Sequence, residues 1–165
     1  MHSQTSPTSR LAIPILLGFL VYLNILTNGF TFDDTSVVVE NYYIKRPVYL
    51  SALLDKTKDF EFFGESSYRP LVTLTYFADH WLWGFSPRGF HLTNLLLHLA
   101  DTVLFFALLR RLYGDGDRTF LAVMLFSLHP AMTEAVNAIG FREELLATFC
   151  AFASLLLYLK SRERT

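Results

Sequence analysis

One long apolar run without a charged side chain constrains this chain more than any other feature of its sequence. The run extends from Leu11 to Leu26 and reads LAIPILLGFLVYLNIL. A helix needs about 20 apolar residues to cross a bilayer, and three further apolar runs follow. We therefore expect an all-α integral membrane protein with about four transmembrane helices, at 11–27, 90–113, 119–128 and 145–159.

The composition of the chain supports this class and excludes others. Of its 165 residues, 52% are hydrophobic and 18% are charged, whereas soluble domains carry roughly 25% charged residues. The net charge of −1 indicates no basic surface, so no nucleic-acid partner is expected. Cys150 is the only cysteine, which excludes an internal disulfide and multi-cysteine metal motifs.

Basic residues predict the orientation of the helices. Seven of the 14 basic residues lie at the ends of the apolar runs, in or beside the segments 1–10, 114–118 and 160–165. They are Arg10, Arg110, Arg111, Arg118, Lys160, Arg162 and Arg164. The positive-inside rule places these segments and both termini in the cytoplasm. The segments 28–89 and 129–144 are then extracytoplasmic. No small-residue cleavage site follows the first run, which we interpret as a signal anchor, with a cleaved signal peptide as the alternative.

The first extracytoplasmic segment is expected to contain short amphipathic helices. Apolar residues recur at helical spacing within 49–54, and Pro70 is suited to open a second helix that ends at Gly84. Trp81 and Trp83 are typical of the headgroup layer, so we place the second helix flat on the outer leaflet. If it crossed the membrane instead, the orientation of every later segment would reverse.

The third and fourth apolar runs are short for a bilayer crossing, and the segment 129–144 between them is half polar. Two short helices around a polar re-entrant segment fit this pattern better than two complete spans. Non-helical backbone at membrane depth is tolerated where it lines a cavity.

Polar residues recur within the second apolar run at spacings of three, four and three. These residues, His91, Asn94, His98 and Asp101, fall on one face of a helix. A charged side chain inside a membrane helix usually faces a cavity or a partner, and polar side chains also form hydrogen-bonded packing seams. We expect the stripe to face other helices, either as a seam or as a cavity lining.

Two further sites carry candidate chemistry. Asp33 and Asp34 follow the first span directly, and adjacent carboxylates can bind a cation, act as a base, cap a helix or remain solvated. Arg142 lies in the second outer segment, where its planar guanidinium would suit a phosphate. The alternative for Arg142 is a structural ion pair with Glu134.

Five short motifs in order resemble the N-terminal part of the transmembrane and tetratricopeptide-repeat O-mannosyltransferase-like family, whose members have the GT-C fold of membrane glycosyltransferases. The motifs are Phe32-Asp33-Asp34, Tyr68-Arg69-Pro70-Leu71, the run from Gly89 to His98, Leu128-His129-Pro130 with Thr133 to Val136, and the run from Arg142 to Ala147. The resemblance extends from about Leu11 to Leu159.

The resemblance implies transfer of a sugar from a polyprenyl or dolichyl phosphate to a Ser or Thr hydroxyl of an acceptor protein, on the extracytoplasmic side. Asp33 and Asp34 occupy the position of the family's acidic pair, which orients or deprotonates the acceptor. Arg142 is the first candidate for the leaving phosphate and Arg69 the second. His129 and Glu134 match a motif expected to line the cavity, together with the polar stripe. No metal ligand and no cofactor are assigned, and the lipid-linked sugar is the donor substrate.

Members of this family have many more spans, followed by tetratricopeptide repeats. The chain is therefore expected to be an N-terminal module, completed by a separate C-terminal part, in the endoplasmic reticulum membrane of a eukaryote or the plasma membrane of a prokaryote. A non-catalytic membrane scaffold or assembly subunit is the alternative function. A transporter half, suggested by the polar stripe, ranks last because the chain shows no repeated halves.

Overall fold

The computed structural model describes residues 7–31, 33–54 and 69–163, and this part of the chain is helical throughout. The α-helices are α1 (Pro7–Tyr22), α2 (Pro70–Trp83), α3 (Pro87–Tyr113), α4 (Asp117–Leu128), α5 (Met132–Asn137) and α6 (Arg142–Arg162). Short turns of 3₁₀ helix cover Leu23–Thr27, Tyr43–Lys45, Pro47–Leu54 and Ile139–Phe141, and a π-helical turn covers Thr35–Val39. Phe32 and Tyr68, which belong to the first two of the five motifs, lie outside the described residues. The terminal residues 1–6 and 164–165 do so as well.

Three helical segments of the described chain are long and apolar enough to cross a membrane: Arg10–Thr27, Pro87–Tyr113 and Ile139–Arg162. A multi-pass, all-helical membrane protein is thus confirmed, while the predicted span at 119–128, which corresponds to α4, is not one of the three. Helix α4 has 12 residues and measures about 18 Å, against about 30 Å for the hydrocarbon core of a bilayer.

Helix α6 is longer than the apolar run from which it was predicted. It begins at Arg142, three residues before the predicted start, and ends at Arg162. Glu143 and Glu144 occupy its first turn, where the positive end of the helix dipole stabilises carboxylates. Counting these charges as loop made the fourth run look too short, so the expectation of two short helices holds for α4 and is wrong for α6.

Helices α3 and α6 run parallel, as contacts at three levels indicate. Arg142 at the start of α6 donates to the carbonyl of Phe90 near the start of α3, at 3.0 Å. The rings of Phe105 and Phe152 stack at 5.3 Å between centroids, and Arg111 at the end of α3 pairs with Glu163 after α6. Because α3 and α6 are parallel, the chain must run from the end of α3 back to the level of its start before α6 begins. Helices α4 and α5 make this return, with a break at 129–131.

Helix α1 packs closely against α4 through two small residues. A Cβ on Gly18 would lie 2.4 Å from Oγ of Ser127, so a larger side chain cannot fit without movement. The same Oγ donates to the carbonyl of Pro14 at 2.9 Å. Small residues that let helix backbones approach are typical of packing in membranes.

The two ends of the bundle differ in charge. The basic end is formed by the start of α1 and α4 and the ends of α3 and α6, and Arg10 pairs there with Asp117 at 3.1 Å. The opposite end, called the loop end here, carries the segment 29–54, α2 and the turn 139–141. An apolar cluster joins these parts; it contains Val38, Ile44, Leu53, Val72, Tyr76, Phe77, Phe90 and Ile139.

Helix α2 matches its sequence prediction in both of its boundaries. Pro70 is its first residue, and it ends before Gly84, which has φ of 62°, a conformation that glycine adopts without steric cost. The segment 49–54, predicted as a short amphipathic helix, lies within a helix of the 3₁₀ type that covers Pro47–Leu54.

Candidate functional site

The carboxylate of Asp34 links two segments that are far apart in the sequence. Its Oδ1 accepts a hydrogen bond from the backbone N–H of Gly140 at 2.9 Å, and its Oδ2 accepts one from the backbone N–H of Thr31 at 3.1 Å. The side chain is fully buried. Among the alternatives left open for Asp34, helix capping is wrong, because its partners precede it or lie beyond α5 rather than in the following turn.

Gly140 permits this link by its lack of a side chain. A Cβ at this position would lie 3.2 Å from Cβ of Asp33 and 3.7 Å from Oδ1 of Asp34. Sequence reasoning missed Gly140, and the lone glycine between apolar residues was the signal that could have marked a close backbone approach.

Asp33 is exposed, in contrast to its buried neighbour Asp34. It lines a cavity of about 300 Å³ at the loop end, which we call the Asp33 cavity; the other lining residues are Ser36, Val37, Arg69, Gly140, Phe141 and Glu143. The structure thus brings Asp33 and Arg69 to one cavity, with the buried Asp34 next to it in the chain, and adds Glu143, which sequence reasoning did not single out.

Arg69 and Glu143 form an ion pair at the wall of the Asp33 cavity. Nη1 of Arg69 lies 2.5 Å from Oε1 of Glu143, and the two side chains are 41% and 28% exposed. An arginine that is this exposed and uses one nitrogen in the pair retains donors for an incoming anion.

Arg142 lies in a different environment, without any exposed surface. Its Nη1 forms an ion pair with Oδ2 of Asp79 at 2.6 Å and donates to Thr75 Oγ1 at 3.0 Å. Its Nε donates to Oδ1 of Asn94 at 2.7 Å, in addition to the contact with Phe90 described above. The guanidinium therefore joins α2, α3 and α6.

The partner of Arg142 was missed in the sequence. A pair with Glu134 was the structural alternative considered, but Glu134 is exposed and Asp79 takes its place. The Tyr76 ring lies 4.8 Å from Cζ of Arg142, a cation–π contact that completes the enclosure. The sequence feature that could have marked Asp79 as the partner of a buried charge is its position as the one carboxylate of a largely apolar helix.

Burial raises the pKa of Asp79 above its ordinary value, and the adjacent charge of Arg142 and hydrogen bonds act in the opposite direction. One of these bonds comes from Oγ1 of Thr93 in α3, at 2.6 Å. A buried carboxylate is tolerated when it is paired and hydrogen-bonded, and Asp79 is held in this way.

The polar stripe of α3 is buried along its whole length and faces other helices. Nε2 of His91 lies 3.2 Å from the carbonyl of Gly29, Asn94 donates to the carbonyl of Ala138 at 3.0 Å, and Nε2 of His98 lies 3.0 Å from the carbonyl of Ser127. These three residues therefore join α3 to the chain around it.

Asp101 differs from the rest of the stripe. Neither of its carboxylate oxygens has a hydrogen-bond partner among the described residues. With His98 and Glu144 it lines a small cavity of about 80 Å³ between α3, α4, α5 and α6. The stripe thus combines a packing seam at His91 and Asn94 with a cavity lining at His98 and Asp101.

His129 and Glu134 lie around the break between α4 and α5, and both are exposed. The carbonyl of His129 accepts a hydrogen bond from the Tyr22 hydroxyl at 3.2 Å, and its Nδ1 accepts one from the N–H of Ala131 at 3.1 Å. Neither His129 nor Glu134 lines the Asp33 cavity.

No cluster of three or more histidine, cysteine, aspartate or glutamate side chains suited to a metal ion occurs within 7–31, 33–54 and 69–163.

Comparison with known proteins gives the same family as the motifs. The chain is 36% identical over 152 residues to protein O-mannosyl-transferase TMTC2 of Mus musculus and of Homo sapiens, which covers 87% of this chain and 18% of each relative. It is 34% identical over 165 residues to protein O-mannosyl-transferase F38B6.6 of Caenorhabditis elegans, covering 93% of this chain and 23% of the relative. The chain is a relative of the TMTC protein O-mannosyl-transferases.

The resemblance to the TMTC proteins extends over most of this chain, whereas the chain spans only about a fifth of the length of these relatives. Human TMTC3 shows the same relation, with 32% identity over 156 residues, which is 91% of this chain and 17% of the relative. No protein-family model matches the chain. No solved structure matches it.

Proposed function

We propose that this chain supplies the acceptor-activating part of a membrane O-mannosyltransferase. In this proposal a mannosyl group passes from a polyprenyl or dolichyl phosphate to a Ser or Thr hydroxyl of an acceptor protein. The observation that carries the proposal is that an exposed carboxylate, Asp33, and a half-exposed guanidinium, Arg69, line one cavity of about 300 Å³. The relatives are named as enzymes of this type.

Asp33 is the proposed general base. Its carboxylate accepts the proton of the acceptor hydroxyl while the hydroxyl oxygen bonds to the anomeric carbon of the sugar. The bond from that carbon to the phosphate oxygen breaks with inversion, and the lipid phosphate departs with the electron pair. A positioned base contributes about 10²–10⁴ to such a rate.

Asp34 is the proposed positioning residue of the pair. Its oxygens are occupied by the N–H groups of Gly140 and Thr31, so it holds the backbone that presents Asp33. In this proposal Asp33 deprotonates the acceptor and Asp34 positions Asp33, whereas the family resemblance assigns orientation or deprotonation of the acceptor to the pair as a whole.

Arg69 is the proposed partner of the departing phosphate. Arg142, the first candidate in the sequence, is enclosed by Asp79, Asn94, Thr75 and the Phe90 carbonyl, which favours a supporting role for it. A fixed positive charge at a leaving phosphate is among the larger contributions to transfer catalysis.

The proposed orientation places the loop end outside the cytoplasm and the basic end inside. The support is the sorting of arginine and lysine residues to the basic end, as the positive-inside rule requires. Helix α2 then lies at the outer leaflet. The chain crosses the membrane four times in this proposal, through α1, through α3, through α4 and α5 together, and through α6.

The test is a chimera in which residues 11–159 replace the matching segment of one of the matched O-mannosyl-transferases. Transfer of radiolabelled mannose from a polyprenyl phosphate to a Ser/Thr peptide is measured in isolated membranes. We expect Asp33→Asn to lower the rate by about 10²-fold or more. The matched control is Asp115→Asn, an exposed acidic residue at the basic end, for which we expect full activity.

Full transfer by the Asp33→Asn chimera would overturn the role of the base. A non-catalytic scaffold or assembly subunit is the second candidate. A chimera that inserts and folds but transfers no mannose would support that candidate instead.

A further inference from the structure

A larger cavity lies on the other face of α2, away from Arg142. Its volume is about 530 Å³, and its walls come from α2 and from the segment 44–50. On α2, Thr75, Tyr76 and Asp79 face Arg142, while Leu74, Phe77, Ala78 and Trp81 line this second cavity, as helical periodicity requires. We call it the α2 groove.

The α2 groove lies next to the membrane boundary. Only the residues 84–86 separate α2 from α3, which is long enough to span the bilayer. Trp81 is 82% exposed, and Trp83 and Phe85 are 43% and 44% exposed. Exposed tryptophan at the end of a span is typical of the headgroup layer, so the groove opens at the depth of lipid headgroups.

Among the described residues, one lysine lies within the apolar walls of the α2 groove. Nζ of Lys45 donates to the carbonyl of Val39 at 3.0 Å and lies 4.9 Å from the centre of the Phe85 ring. His80, the other polar residue of the lining, packs its ring 4.5 Å from Phe85, and its Nδ1 has no hydrogen-bond partner among the described residues. An apolar groove with a cation in its wall matches a lipid chain with an anionic headgroup.

The α2 groove is separate from the Asp33 cavity. Within 7–31, 33–54 and 69–163, the two cavities share no lining residue. Val38, Ile44, Phe77 and Ile139 belong to one buried cluster, with Ile44 and Phe77 on the groove side and Ile139 beside Gly140 on the other. A sugar donor seated in the groove would therefore be kept away from Asp33, which points to a ligand other than the proposed donor.

We propose that the α2 groove binds one anionic glycerophospholipid of the adjacent leaflet. An acyl chain lies along Leu74, Phe77 and Trp81, and the phosphate contacts Lys45. The bound lipid fixes α2 and the segment 44–50 to the membrane surface. This binding is independent of mannose transfer.

The test uses the 165-residue chain in nanodiscs that contain phosphatidylglycerol and phosphatidylcholine in equal amounts. Lipids retained after release are counted by native mass spectrometry. We expect one retained phospholipid per chain, with phosphatidylglycerol favoured at least fivefold. Ala78→Phe, which fills the groove, should lower retention at least tenfold, and Lys45→Glu should abolish the preference for phosphatidylglycerol.

Matched controls lie on α6, far from the groove. Ala151→Phe and Lys160→Glu make the same changes at exposed positions of an apolar helix and its end, and we expect less than a twofold effect from either. Equal losses in the control variants and the groove variants would overturn the proposal.

Two further measurements keep the proposal open to refutation if a groove variant fails to fold. A photoreactive phosphatidylglycerol is cross-linked to the unaltered chain, and attachment within 44–50 or 74–81 supports the proposal, whereas attachment elsewhere alone overturns it. Polyprenyl phosphate is then added at a concentration equal to that of phosphatidylglycerol. Displacement of the phospholipid would identify the groove as a donor site and overturn the assignment, and undiminished retention would support it.

Discussion

Two arginines of this molecule form ion pairs with carboxylates in opposite surroundings. The side chains of Arg142 and Asp79 are 0% and 4% exposed, and their charges are enclosed by three helices. The side chains of Arg69 and Glu143 are 41% and 28% exposed and line the Asp33 cavity. The same pair of functional groups therefore supports the fold in one place and is available to a ligand in the other.

Burial accounts for this difference. Removing one partner of a buried pair leaves an uncompensated charge in a medium that solvates it poorly. An exposed pair is hydrated and screened, so its loss changes stability little. Stability and transfer should consequently separate between the two arginines. Substitutions of Arg142, Asp34 and Arg69 test this contrast between buried and exposed groups.

The largest effect is expected from Arg142→Leu. This change leaves Asp79 without its partner and removes the donors to Asn94 and Thr75, which should lower the free energy of unfolding by about 3–5 kcal/mol. Reversible unfolding in mixed detergent micelles measures it. The double variant Arg142→Leu with Asp79→Leu should recover a large part of the loss, and a loss below about 1 kcal/mol in the single variant would contradict the supporting role.

An intermediate effect is expected from Asp34→Ala. The backbone N–H groups of Gly140 and Thr31 lose their acceptor, and buried donors without a partner cost about 1–3 kcal/mol. Asp33→Ala is the matched control, and its exposed side chain should change stability by less than about 0.5 kcal/mol. The same unfolding measurement decides between them, and equal losses would disprove the division of roles.

The smallest effect on stability is expected from Arg69→Ala, below about 1 kcal/mol. Its effect on mannose transfer in the chimera should be much larger, about 10²–10³-fold. A variant that loses stability as Arg142→Leu does, or that transfers mannose at the full rate, would remove Arg69 from the proposed site.

Local signals made part of this structure predictable. Pro70 and Gly84 mark the ends of α2 because their backbone preferences act within a single turn. The spacing of His91, Asn94 and His98 likewise indicated a buried face of α3, since helical periodicity depends only on neighbouring residues.

Contacts between distant segments were beyond these signals. Asp79 and Arg142 meet only because α2 and α6 pack on the same end of α3. The different exposure of Asp33 and Asp34 could not be read from their neighbours in the sequence, because Asp34 is bonded to Gly140, 106 residues further along the chain. The start of α6 was misplaced because the charged residues from Arg142 to Glu144 were counted as loop, whereas they form the first turn of the helix.

The hydrogen bonds that close the bundle also set the order in which it can assemble. Ser127 with Pro14, Asp34 with Gly140 and Tyr22 with His129 join residues 113, 106 and 107 positions apart. Contacts between residues so far apart in the sequence are expected to form late, because the entropy of closing the long loop is lost before the contact contributes any stabilisation. During synthesis the first helix therefore enters the membrane long before its partners exist. Because Asp34 bonds to Gly140 beyond α5, we expect the backbone that presents Asp33 to become ordered only after α4 and α5 have packed, and maturation of the site to be sensitive to anything that delays these helices.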